Sequence, residues 1–160
     1  MDYDIAIKLL CDAEAEFVVV GGVSAIFHGA STLTYDLDIC YSRTRLNLHR
    51  LAEALAPYHP RPRGFPANLP FIWDESTLGN TSLLTLQTDF GEIDLLAEIS
   101  GLGDYEAVKA RSIAVEAYGR RVATLDLRSL IEAKRAAGRE KDLRALPELE
   151  SLLEAEQPES

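Results

Sequence analysis

The chain has 160 residues, 47% of them apolar and 26% charged, with a formal net charge of −10. A domain of this size buries roughly 68–70% of the surface that its unfolded chain exposes, so it needs no covalent or metal staple to fold. Disordered and fibrous classes are excluded by the composition, a membrane helix by the lack of any apolar run near ~18 residues, and a broad grip on a nucleic-acid backbone by the shortage of cations.

The opening MDYDIAIKLLCDAEAE carries an apolar stripe of Ile5, Leu9 and Leu10, with Ala6 and Ala13 beside it. That spacing predicts a helix, not a basic-then-hydrophobic leader, and makes the cytoplasm the expected compartment. FVVV reads as a buried strand closed by Gly21 and Gly22. Val23–His28 has helical spacing with Gly29 as its stop. TLTYDLDICY reads as a second strand, with Leu33, Tyr35, Leu37 and Ile39 on one face and Asp36, Asp38 and Cys40 on the other. Ser42 is the expected N-cap of a helix marked by Leu48, Leu51, Ala52 and Leu55.

PYHPRPRGFPANLPF holds five of the seven prolines and predicts an irregular surface loop, long enough to serve as a lid or binding loop. SLLTLQT and EIDLLAEI, joined by Asp89, Phe90 and Gly91, predict a β-hairpin in which Asp94 opposes Ile93 and Leu95. GLGDYEAVKA predicts a short helix and SIAVEAYGRRVATL a second hairpin. Asp126 or Ser129 opens a helix that runs through LIEAKRAAG to Gly138, and KDLRALPELESLLEAE predicts an acidic, frayed closing helix. Residues 1–160 read as one domain without repeats, with 126–156 as its C-terminal helical segment.

Two carboxylates one residue apart on a strand share a face, with Cα atoms about 6.5–7 Å apart. Asp36 and Asp38 therefore form a pair inside an apolar frame, where like charges are disfavoured unless paired or metal-bound. A hard cation such as Mg²⁺ supplies the countercharge. Asp94, in a similar frame, is the best third ligand for a two-metal phosphoryl-transfer site. The competing reading is an edge strand with a solvated polar face.

The Gly-Gly pair and Gly29 do not match the GxGxxG spacing of a dinucleotide fold. Gly22 lets backbone amides approach a phosphate. Lys134, Arg135, Arg139 and Lys141 form the one basic patch that can hold phosphates in this acidic chain. Cys11 and Cys40 lack metal-ligand spacing and read as reduced, packed thiols. His28 reads as a helix-end residue, and His49 and His59 have no partners that suggest catalysis.

The string VGG, thirteen residues, then DLD resembles the signature of the DNA polymerase beta-type nucleotidyltransferase superfamily, and GEIDLL resembles its third-carboxylate motif. LRSLIEAKRAAGREKDLRAL is similar to the closing segment of the small branch that contains abortive-infection (AbiEii-like) toxin nucleotidyltransferases. The resemblance covers about residues 17–150 and implies an α/β (α+β) nucleotidyltransferase fold, a mixed and mostly antiparallel sheet with helices packed on one side. It implies transfer of NMP from an NTP to a hydroxyl of RNA, protein or a small molecule, with two Mg²⁺ ions. Asp36, Asp38 and Asp94 match the metal ligands, and Asp94 also matches the acid that deprotonates the acceptor. Gly21 and Gly22 match the turn that seats the triphosphate, with Ser24 as a hydroxyl contact. Lys134 matches the lysine of that branch that neutralises charge on the phosphates, and Arg139, Lys141 and Asp142 match its closing cluster. An antitoxin partner is implied for that branch. Its relatives commonly carry an arginine before the Asp-x-Asp pair, where this chain has Ser31, Thr32 and Leu33. A non-catalytic interaction module retaining the fold, and a DxD glycosyltransferase, are the alternative readings.

Overall fold

A computed structural model describes residues 1–156. The chain begins with α1 (Tyr3–Asp12), whose first turn is capped by the Asp2 carboxylate accepting from the Ile5 amide. Its buried residues are Ala6, Ile7 and Leu10; Ala6 and Leu10 belong to the expected stripe, whereas Ile7 joins it and Ile5 is exposed. β1 (Phe17–Val20) is buried at all four positions. The chain then turns at once into α2 (Gly21–Phe27), so the two glycines open a helix instead of ending a strand.

β2 (Asp36–Tyr41) is shorter than the sequence suggests. Leu33 and Tyr35 are 83% and 76% exposed, because residues before Asp36 have no ladder partner and run across the end of the sheet. The next helix, α3 (Arg45–Leu55), is capped by Thr44, not Ser42, which is buried. The proline-rich stretch includes a 3₁₀ turn (Ala56–Tyr58) and a two-residue strand β3 (Arg61–Pro62). It folds on itself through Arg61, which donates to the carbonyls of Pro66 and Leu69 and stacks on Phe65.

After α4 (Glu75–Gly79) come β4 (Leu83–Thr88) and β5 (Gly91–Leu96), the expected hairpin. β6 (Glu98–Ile99) and β7 (Gly103–Asp104) pair separately, followed by α5 (Tyr105–Lys109). β8 (Ser112–Ala117) and β9 (Arg120–Leu125) turn through Tyr118 and Gly119, both left-handed as a tight two-residue hairpin requires. α6 (Leu127–Ala137) is capped by Asp126 and stopped by left-handed Gly138. α7 (Glu140–Glu156) contains Pro147 but is docked, with Leu149 buried against the core, so the expected fraying is not observed.

The main sheet has the order β3-β4-β5-β2-β1-β9-β8. β1 with β9 and β2 with β5 are parallel, and the other pairings are antiparallel. Helices cover both faces, not one. Val19, Leu37, Ile39, Ile93 and Leu95 pack on α1, α3 and α4. Val18, Val20, Cys40 and Leu125 pack on α2, α5, α6 and α7. The reason lies in FVVV: a strand apolar on both faces needs a layer on each. No helix among the described residues is long and apolar enough to cross a membrane.

Candidate active site

The parallel register of β2 and β5 sets Asp36 beside Glu92 and Asp38 beside Asp94. Side-chain alternation turns Asp36, Asp38 and Asp94 to the face covered by α6 and α7, at the end those helices leave open. One carboxylate oxygen from each of the three residues lies within 4.8 Å of the others. The three acids are therefore one cluster, although the first and the last lie 58 positions apart in the sequence.

Burial first, and then the charges of Asp36 and Asp94, push the Asp38 carboxyl up to about 7. Its Oδ1 is buried without a hydrogen-bond partner. Asp94 is also raised by burial, against the opposing charge of Arg63. An orphaned buried oxygen in a set of three hard carboxylate donors fits a divalent cation. The Thr34 hydroxyl is shared between the carbonyl and Oδ1 of Asp36, and the Tyr3 hydroxyl donates to the Thr34 carbonyl. The Thr34–Asp36 contact is local, but the Tyr3 contact is not visible in the local sequence pattern, since Tyr3 lies 31 residues from Thr34.

β1 runs antiparallel to β2 with Val20 opposite Asp38, so the next residue, Gly21, meets the acids. A Cβ on Gly22 would lie 2.9 Å from Thr34. Both glycines line a cleft of about 400 Å³ with Asp36, Asp38, Lys134, Arg139 and Lys141. A second recess of about 140 Å³ opens beside Asp38 and is walled by Leu96, Ile99, Leu125 and Leu130. Ser24 is not part of either. It is fully buried, and its hydroxyl donates to Thr124, whose own hydrogen goes to the Val19 carbonyl. The expected hydroxyl contact is thus replaced by a core hydrogen bond.

Asp142 organises the cations. It is 1% exposed and accepts from the Arg139 amide and guanidinium, with Lys134 Nζ at 3.7 Å. Burial works to raise its carboxyl, but the Arg139 hydrogen bonds and the charges of Arg139 and Lys134 hold it below the ordinary value. Arg135 points elsewhere and pairs with Glu150. Ser31 donates through its amide and hydroxyl to the Glu148 carboxylate, tying the segment before Asp36 to α7.

No protein-family model matches the sequence, and no curated protein matches it. The chain is similar in structure to a candidate nucleotidyltransferase, TM1012 from Thermotoga maritima, with a TM-score of 0.57 and 15% identity over 94% of this chain and 96% of that one. It is similar to the lincosamide antibiotic adenylyltransferase LnuA, lincomycin-bound, with a TM-score of 0.62 and 12% identity over 95% of this chain and 98% of that one. The chain has the nucleotidyltransferase fold.

Within this nucleotidyltransferase fold one charged residue stands at the acids that sequence reasoning passed over. Arg63, from the proline-rich loop, donates to Asp94 Oδ1 at 2.8 Å and lies 3.4 Å from Glu92. Its only sequence signal is a cation within a loop read as a lid or binding loop. His28 is structural as expected, donating from Nε2 to the Leu125 carbonyl. His49 and His59 are surface residues paired with carboxylates. Both thiols are free, and burial pushes Cys40 up to about 12.

Proposed function

We propose that the protein is a Mg²⁺-dependent nucleotidyltransferase that moves NMP from an NTP to a hydroxyl. The convergence of Asp36, Asp38 and Asp94 beside a cleft floored by two glycines and walled by cations carries this reading. Asp36, Asp38 and Asp94 would hold the metal ions, which when bound would supply charge neutralisation for the attacked phosphate and the departing pyrophosphate. Lys134, Arg139 and Lys141 face the phosphates, and Gly21 and Gly22 allow them to approach the backbone. The acceptor oxygen forms a bond to the α-phosphorus, the bond to the β-phosphate oxygen breaks with its electron pair, and the acceptor proton passes to Asp94.

The acceptor is RNA, protein or a small molecule. A small molecule has support from the shared fold of LnuA, which acts on a lincosamide antibiotic, and a wide RNA footprint is opposed by the −10 charge. The basic cluster around Asp142 supports membership in the toxin-associated branch, with an antitoxin as partner. The test is to incubate the protein with each α-labelled NTP, Mg²⁺ and separate RNA, protein and small-molecule fractions. Label should move to one fraction with pyrophosphate release, and Asp36→Asn should abolish it. Equal labelling by wild type and Asp36→Asn would refute the activity.

A further inference from the structure

Arg63 is placed by the sheet. β4 runs antiparallel to β5 with Thr85 opposite Asp94, and β5 sets Asp94 opposite Asp38. The Arg63 amide donates to the Thr85 carbonyl at 2.9 Å, continuing the β3–β4 register beyond Pro62. Asp38, Asp94, Thr85 and Arg63 therefore form one row across four neighbouring segments. The Arg63 side chain reaches over the short Thr85 to Asp94, whose side chain is only 16% exposed. Glu92, two residues earlier on the same face of β5, offers its carboxylate 3.4 Å from the same nitrogen.

We propose that Arg63 is an internal counter-ion of the carboxylate cluster, competing with a divalent cation for Asp94 and passing to Glu92 when the cation binds. The proposal rests on the reading of the three aspartates as a metal site. A guanidinium does not lose its proton in a protein, so this positive charge leaves Asp94 only by moving. The backbone of Arg63 is pinned to β4, and rotation of the side chain alone transfers its hydrogen bond from one carboxylate to the other. Glu92 thereby keeps Arg63 from being stranded without a partner, and the proline-rich loop becomes a functional part of the metal site without any closure of the loop.

The experiment titrates Mn²⁺ into wild type, Arg63→Met, Glu92→Gln and the double variant at one mildly alkaline pH, reading free Mn²⁺ by paramagnetic resonance. Asp36→Asn serves as the site control, and circular dichroism verifies that each variant is folded. Arg63→Met should bind Mn²⁺ about two- to fivefold more tightly than wild type, the range supported by a partly exposed ion pair. Glu92→Gln should weaken binding when Arg63 is present and leave it unchanged in the Arg63→Met background. Equal or weaker binding by Arg63→Met overturns the competition. Equal weakening by Glu92→Gln in both backgrounds overturns the transfer, because Glu92 then acts only through its charge. Absence of Mn²⁺ binding by every folded variant overturns the metal reading itself, an outcome distinct from the other two.

Discussion

Gly21 and Asp38 are packed so closely that a Cβ on Gly21 would lie 2.3 Å from Asp38 Oδ2. The first glycine of α2 and the second acid of the Asp-x-Asp pair are thus one packed unit. Gly21 also has φ +66°, a left-handed conformation that costs an L-residue about 1–2 kcal/mol. Gly21→Ala should destabilise the fold by about 2–3 kcal/mol and weaken Mn²⁺ binding by displacing Asp38. Thermal melts and metal titration check both. Gly22→Ala meets Thr34 instead and lacks the positive φ, so its stability loss should be smaller.

Asp38 gives the metal-free protein a pH dependence of defined sign. Its carboxyl is raised from 3.8 to about 7 by burial and by Asp36 and Asp94. The folded state therefore binds more protons than the unfolded state between those values, and stability falls as pH rises through them. Asp38→Asn should stabilise the metal-free protein above neutral pH by a few kcal/mol, since each tenfold difference in proton affinity between the two states is worth ~1.4 kcal/mol. The gain should shrink as pH falls through the window and vanish below the ordinary carboxylate range. Urea unfolding of both proteins across pH measures it.

Asp142 makes the opposite contribution. Its carboxyl is held low by Arg139 and Lys134 despite burial, so the stability it supplies is present above the ordinary carboxylate pKa and lost as pH falls below it. Asp142→Asn should cost about 1–3 kcal/mol at neutral pH. Nucleotide binding, followed by calorimetry, should weaken as well, because Lys134 and Arg139 lose the group that holds them at the cleft.

Asn47 tests the scaffold independently of the chemistry. It is 1% exposed and accepts from the Glu16 amide while donating to the carbonyls of Glu16 and Ser42. Asn47→Ala strands those backbone groups and should cost about 2–4 kcal/mol in chemical denaturation. Mn²⁺ affinity of the folded fraction should be unchanged.

The identity of the elements was largely legible because it depends on neighbours in the chain. The DFG turn between two alternating arms, the Asp126 cap and the Gly138 stop all signal through residues a few positions apart. Errors fell where a partner was missing or added. Leu33 and Tyr35 alternate as a strand should, yet no strand lies beside them, and they stay exposed. The C-terminal helix is acidic and carries Pro147, yet Leu149 secures it against the core.

From sequence alone came the three aspartates, the diglycine and the basic helix end, because each is a local pattern whose residue types imply charge, turn or cation. Tertiary structure alone decided that Ser24 is a core residue, that helices cover both faces, and that Arg63 faces Asp94. The parallel register of β2 and β5 and the pinning of Arg63 to β4 join segments that lie far apart in the chain. Such pairings follow from how apolar faces are buried against one another, and no local spacing encodes them.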